Sequence, residues 1–204
     1  MAKGTIFVVT APSGAGKTTL VAALLAADQQ IQLSVSYTSR PARAGEADGK
    51  DYHFVDRAEF ERMIAAGDFV EWAEVYGNYY GTSKQWLESV IDDGRDILLE
   101  IDWQGAQQVH KLFAESVGVF VLPPSIETLE ARLRARGKDP EEAIQRRMSK
   151  AREEMGHVGE AQYVIINEHI DDAVRDIISV VRAERLRGER QAIRHAELVA
   201  SLKA

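Results

Sequence analysis

Ala11-Pro12-Ser13-Gly14-Ala15-Gly16-Lys17-Thr18-Thr19 follows directly on the apolar run Thr5-Ile6-Phe7-Val8-Val9-Thr10. The order of strand, glycine-rich loop, lysine, hydroxyl and helix predicts a loop that cradles the phosphates of a nucleoside triphosphate. Gly14 and Gly16 let the backbone turn so that successive N–H groups point inward, Lys17 meets the outer phosphates, and the Thr18 hydroxyl reaches Mg²⁺. The helix expected over 18–27 places its positive dipole end at the anion. Against the pattern G-x-x-x-x-G-K-[ST], Ala11 stands at the first glycine, which a methyl group tolerates wherever φ is negative. Taken alone, the stretch has one other reading, a glycine-rich turn with an incidental lysine.

With 204 residues, 45% of them hydrophobic and 28% charged, the chain is long enough for one core with attached subdomains. A net charge of −7 argues against binding a nucleic acid polymer, although a local basic site can still hold a small anion. The absence of cysteine fits a reducing compartment, so the cytoplasm is the expected location. No apolar run approaches the length of a membrane span or a secretory signal.

Apolar runs at 6–9, 97–101, 117–122 and 163–166 read as buried strands separated by stretches of helical period, with 33–35 as a fifth strand. That alternation predicts a parallel sheet covered by helices, with the ligand beyond the carboxyl ends of the strands. Asp102, at the end of 97–101, is placed to support Mg²⁺ through water. Between the core strands, 37–80 reads as an inserted lobe, with a helix over 56–66 capped by Asp56 and another over 83–93 capped near Thr82. Ser125 caps a helix carrying Arg132 and Arg136; Gly137 ends it, and Asp139, Pro140 and Glu142 open one bearing Arg146, Arg147 and Lys150. This basic hairpin is either a solvated, ion-paired face or a phosphate-facing lid. Beyond Ile170 a long helix is expected to run on to an arginine-rich end at Arg194, an exposed tail or an oligomer contact. Trp72 and Tyr79 are expected as core aromatics, His53 and His157 as surface or packing residues, and Trp103 as packing behind the strand end.

The stretch 38–54, Thr38-Ser39-Arg40-Pro41-Ala42-Arg43-Ala44-Gly45-Glu46 onward to Tyr52-His53-Phe54, closely resembles the signature of guanylate kinases. The resemblance extends to the Ala11 loop, Gly77-Asn78-Tyr79-Tyr80-Gly81-Thr82, Glu100-Ile101-Asp102-Trp103-Gln104-Gly105 and the arginine hairpin. It implies an α/β, three-layer P-loop fold with a parallel core sheet, an inserted GMP-binding lobe and a helical lid. The core is expected over about 4–36, 86–130 and 155–184, the lobe over about 37–85, the lid over about 131–154 and a helical tail over about 185–204. The implied reaction moves the γ-phosphoryl group of ATP to GMP with Mg²⁺. By resemblance, Ser36, Arg40, Arg43, Tyr52, Glu71, Tyr80, Gly81, Thr82 and Glu100 hold GMP, while Lys17, Arg132, Arg136 and Arg146 neutralise the transferred phosphate. The Ala11 to Thr19 loop holds ATP, and Asn167 lies near its adenine.

The residue types suit these roles. Carboxylates at Glu71 and Glu100 accept from guanine N1–H and N2–H₂, hydroxyls at Ser36 and Thr82 donate to O6, and forked guanidinium groups bind phosphate. Glu100 stands where some relatives have aspartate. No nucleophilic side chain is needed, because phosphoryl transfer asks for positioning and charge neutralisation. Two other functions remain open at this point: a kinase for a ribose bisphosphate, and a noncatalytic module that binds phosphorylated partners. A homo-oligomer is also possible.

Overall fold

Side-chain alternation along the apolar runs decides the architecture. The computed structural model describes residues 3–75, 77–135 and 140–203. The chain opens with β1 (Ile6–Thr10), α1 (Lys17–Ala27), β2 (Ile31–Leu33), β3 (Tyr37–Thr38) and β4 (His53–Phe54). Next come α2 (Arg57–Ala66), β5 (Phe69–Val75), β6 (Asn78–Ser83), α3 (Lys84–Asp92), β7 (Asp96–Glu100) and α4 (Trp103–Leu112). β8 (Val117–Leu122), α5 (Ile126–Ala135), α6 (Glu141–Met155), β9 (Tyr163–Ile166), α7 (Ile170–Arg185), α8 (Gly188–Arg194) and α9 (Ala196–Ser201) complete it.

The core sheet has the order β2-β7-β1-β8-β9, and every pairing in it is parallel. Phe7, Val9, Leu98, Val119 and Val121 point to one face, where Leu20, Val21 and Leu24 of α1 and Ala173, Ile177 and Val181 of α7 cover them. Ile6, Val8, Ile97 and Leu99 point to the other, against Leu87, Val90 and Ile91 of α3 and Val109 of α4. Three layers follow from this period-two partition. A second sheet, β4-β3-β6-β5, carries the lobe and packs Phe60 and Met63 of α2 against Phe69. α5 and α6 form a helical pair around Leu129, Leu133, Ile144, Met148 and Ala151.

The Asp56 cap and the Gly67 stop of α2 form as expected: Asp56 accepts from Glu59 N at 2.8 Å and Gly67 takes φ 72°. Several boundaries differ. The fifth strand is Ile31–Leu33 rather than 33–35, because its register follows Asp96 to Leu98 of β7. The cap of α3 is Ser83, since the Thr82 hydroxyl is committed to Glu71 inside the lobe. Pro140 is the N-cap of α6 rather than a residue of its first turn, and Gly137 and Asp139 lie outside the described residues. The last helix is interrupted: α7 ends at Arg185, and Gly188 starts a separate helix. Trp72 is 38% exposed on the outer face of the lobe rather than in its core, edge-on to Tyr79.

Arg185 is held at that break by a clamp. Its Nη1 lies 2.5 Å from Asp28 Oδ2 and its Nε 2.6 Å from Asp96 Oδ2, while Asp96 Oδ1 accepts from Thr5 N at 2.7 Å. The ends of α1 and α7 are thereby pinned to the start of β7. Removing the cation leaves two poorly solvated carboxylates facing each other. Arg185→Met is expected to lower stability by about 3 to 5 kcal/mol in urea unfolding at pH 7.

Candidate active site

The loop after β1 crosses the carboxyl edge of the core sheet and returns as α1. Gly14 and Gly16 both take φ 96°, a conformation that strains any residue with a Cβ. A Cβ on Gly16 would also lie 2.3 Å from Asn167 Nδ2, and one on Gly14 would press Leu129 and Leu133 of α5. Asn167 Nδ2 donates to Ala15 O at 2.7 Å, and Arg132 donates to the same carbonyl at 3.4 Å and to Asn167 O at 2.9 Å. Because a trans peptide sets C=O and the next N–H antiparallel, anchoring Ala15 O turns the Gly16 N–H away from Asn167 and into the cradle. Ala11 packs its methyl against the core cluster, so the position of the missing glycine is filled by apolar contact.

Lys17 Nζ donates to Ile101 O at 2.9 Å. Burial lowers its pKa, while the charges of Glu100, Asp102 and Glu154 oppose that shift. Thr18 Oγ1 donates to Glu100 Oε1 at 2.6 Å, which places Glu100 beside the hydroxyl expected to meet Mg²⁺. Asp102 caps α4 by accepting from Gly105 N at 2.9 Å. A cavity of about 310 Å³ lies over the loop, lined by Lys17, Thr18, Val75, Asp102, Arg147, Lys150 and Glu154 among others. A second opening, between Gly14, Gly16 and Thr19 on one side and His169 to Asp171 on the other, has Arg132 and Asn167 in its wall.

In the lobe, Glu71 is only 4% exposed and accepts from Thr82 Oγ1 at 2.6 Å. Burial pushes its carboxyl up to about 7, the Thr82 hydrogen bonds pull it down, and the charge of Asp102 raises it further. Gly105 makes this placement possible, since a Cβ there would sit 2.7 Å from Glu71 Oε2. Gly81 plays the same part on the other side, where a Cβ would crowd Glu71 O and the Phe60 and Phe69 rings. Arg40 forms a fork with Glu46, Nη1 to Oε2 at 3.0 Å and Nη2 to Oε1 at 2.9 Å, and stands over the Tyr52 ring. Tyr80 meets Tyr52 edge-on at 5.8 Å. Ser36 lies at the edge of this group, its carbonyl accepting from His53 N.

The cavity over the loop takes in the strand end at Asp102 and, from the lobe, Val75, while the expected GMP residues lie outside its lining, and some expected residues sit differently from the sequence reading. Arg146 is exposed and does not line the cavity, whereas Arg147, the next residue of α6, does. The buried stripe Ile144, Met148, Ala151 fixes this phase, and reading it would have chosen Arg147. Arg43 is exposed, with its backbone N–H on Glu46. The Thr82 hydroxyl points at Glu71 rather than being left to donate to a ligand, and Asn167 is turned under the loop. Arg136 lies outside the described residues. Sequence reasoning gave Glu46 and Gly105 no role of their own within the motifs and took Glu154 only as an ion-pair partner of the basic hairpin, because their partners in the loop and lobe are set by folding. His157 stacks on Trp103 at 3.6 Å, a packing role for both.

Comparison with known proteins supplies the family. The family model for guanylate kinase matches residues 3–184. The chain is 60% identical over 194 residues to a guanylate kinase of Aromatoleum aromaticum, covering 95% of each chain. With the guanylate kinase of Chromobacterium violaceum it shares 56% identity over 195 residues, covering 96% of this chain and 93% of that one. The crystal structure of guanylate kinase from Anaplasma phagocytophilum superposes with a TM-score of 0.76 at 38% identity, covering 93% of this chain and 90% of the other. A family model matched over most of the chain and relatives at 56 to 60% identity over almost its whole length agree, and the chain belongs to the guanylate kinase family.

Proposed function

We propose that the chain transfers the γ-phosphoryl group of ATP to GMP or dGMP, giving ADP and GDP, with the core, lobe, lid and tail divided as the sequence suggests. The observation that carries this reading is the buried Glu71–Thr82 pair, facing the strand end to which Lys17 and Thr18 are tied. Guanine offers N1–H and N2–H₂ to a carboxylate, whereas adenine presents a lone pair at N1 and meets Glu71 with repulsion. Thr82 orients Glu71, and Ser36 is left as the hydroxyl for O6. Arg40, locked by Glu46 and flanked by Tyr52 and Tyr80, serves the GMP phosphate with Arg43; Glu100 serves the guanine N2 or, through Thr18, the metal side.

On the donor side, Lys17, Arg147 and Lys150 surround the cavity over the loop, Arg132 stands in the wall of the second opening beside Gly14 and Gly16, and Arg136 is assigned to the same task from the sequence. They place positive charge where the in-line transfer develops negative charge. A hard-oxygen set of Thr18 hydroxyl and Asp102, the latter through water, suits Mg²⁺. Among the described residues no three His, Asp or Glu side chains form a cage, as fits a cation shared with phosphates. When bound, Mg²⁺ neutralises phosphate charge. Among the described residues no helix is long and apolar enough to cross a membrane, and the cysteine-free composition keeps the cytoplasm as the proposed compartment.

Three outcomes test this reading. In an ADP-release assay over GMP, dGMP, AMP, UMP, CMP and ribose bisphosphate, GMP and dGMP are expected to lead AMP by about 10⁴-fold in kcat/KM. A preference for any other acceptor overturns it, and no turnover together with phosphopeptide binding favours the noncatalytic module. Because Glu71 loses its proton near pH 7 and only the carboxylate accepts from both guanine donors, acidification weakens GMP binding. The GMP KM should rise about tenfold from pH 8 to pH 6. Glu71→Gln should remove that component, leaving only the titration of the GMP phosphate near pH 6, common to both proteins. Finally, Lys17→Ala, Arg136→Ala and Arg147→Ala should each lower kcat by roughly 10³-fold or more, with Arg146→Ala close to wild type.

A further inference from the structure

Glu154 has no part in the transfer just described, yet its carboxylate lies among the donors that a triphosphate needs. It sits near the end of α6, 9% exposed, and its Oε2 accepts from Ser13 N at 3.2 Å. Its Oε1 lies 3.9 Å from Lys150 Nζ, and the side chain lines the same cavity as Lys17, Thr18 and Arg147. Burial pushes the Glu154 carboxyl up, while the Ser13 amide and the charges of Lys150 and Lys17 pull it back down. A backbone amide in the loop, a lid lysine and the loop lysine are the partners that phosphate oxygens seek. One N–H makes one good hydrogen bond, so a phosphate oxygen and the Glu154 carboxylate exclude each other there. Two anions enclosed in this space would repel with little screening by salt.

We propose that Glu154 is a built-in competitor for the triphosphate, holding the Ser13 amide and Lys150 until ATP displaces it. The displacement frees α6 from the loop as the phosphates arrive and hands Lys150 from one anion to the other. Movement of the lid is thereby coupled to the donor nucleotide. ATP affinity is correspondingly weaker than the loop alone would give. This inference rests on the loop being the triphosphate site. A purely structural Glu154, which only held the loop in shape, predicts the opposite sign: its loss would weaken ATP binding.

The test is calorimetric titration of the full chain with a nonhydrolysable ATP analogue and Mg²⁺. Glu154→Gln keeps the shape and an oxygen for Ser13 but removes the charge, and it should bind the analogue about tenfold more tightly, as a direct coupling of this kind allows. The KM for ATP should fall in parallel and the KM for GMP should not move. Glu154→Asp draws the charge back by one methylene; it should also bind more tightly, by a smaller factor, and it decides the matter if the glutamine variant does not fold. A wild-type chain that binds no triphosphate defeats the reading of the loop. If the wild type binds it and the folded variants bind it equally or less well, the competitor role is wrong.

Discussion

The hydrogen bond from Asn167 to the Ala15 carbonyl is the contact on which the loop depends. It joins residues 152 positions apart and is buried, so water cannot substitute for it without reopening the packing between β9 and the loop. By fixing one carbonyl outward it fixes the following amide inward, and Gly14 and Gly16 supply without strain the positive φ that the loop's turns require. Arg132 adds a second donor to the same carbonyl from α5. The helical pair is therefore part of the loop's support as well as a source of charge for phosphate.

Charge in the site is arranged in pairs that ligands would rearrange. Arg40 is preorganised by Glu46, which holds the guanidinium flat with both oxygens, and Thr18 is held by Glu100. Each pairing keeps the polar groups it joins satisfied. Glu71 is the exception: its neighbours supply a hydroxyl and a second carboxylate but no cation, so burial dominates its titration. A ligand that brings two N–H donors to it provides what the protein withholds, and this is how a neutral base edge can be chosen by an acid.

The sequence showed these features unevenly, for physical reasons. The strands read at 6–9, 97–101, 117–122 and 163–166 were legible to within one residue at their ends, as were the Asp56 and Ser125 caps and the glycine loop, because each is a local pattern of period, cap or forbidden φ. Glu71 and Arg40 were reached through a family signature, and their partners Gly105 and Glu46 were not, because a missing Cβ and a returning turn mean nothing until the chain is folded. That Arg147 and not Arg146 lines the cavity was hidden in a run of two arginines, whose helical phase only the Ile144–Met148–Ala151 stripe sets. Asn167 was placed at adenine because its neighbourhood was legible and its direction was not; the bond to Ala15 depends on β9 lying beside β8.

α4 is the element that relates the acceptor half of the site to the donor half. Its N-cap, Asp102, ends the strand segment whose Ile101 carbonyl holds Lys17, and its third residue, Gly105, is the gap into which Glu71 projects. Further along, Gln108 bonds both the N–H and the carbonyl of Trp72, stitching β5 to the helix on either side of one peptide. Glu71 is thus fixed relative to the lysine of the loop through a single helix.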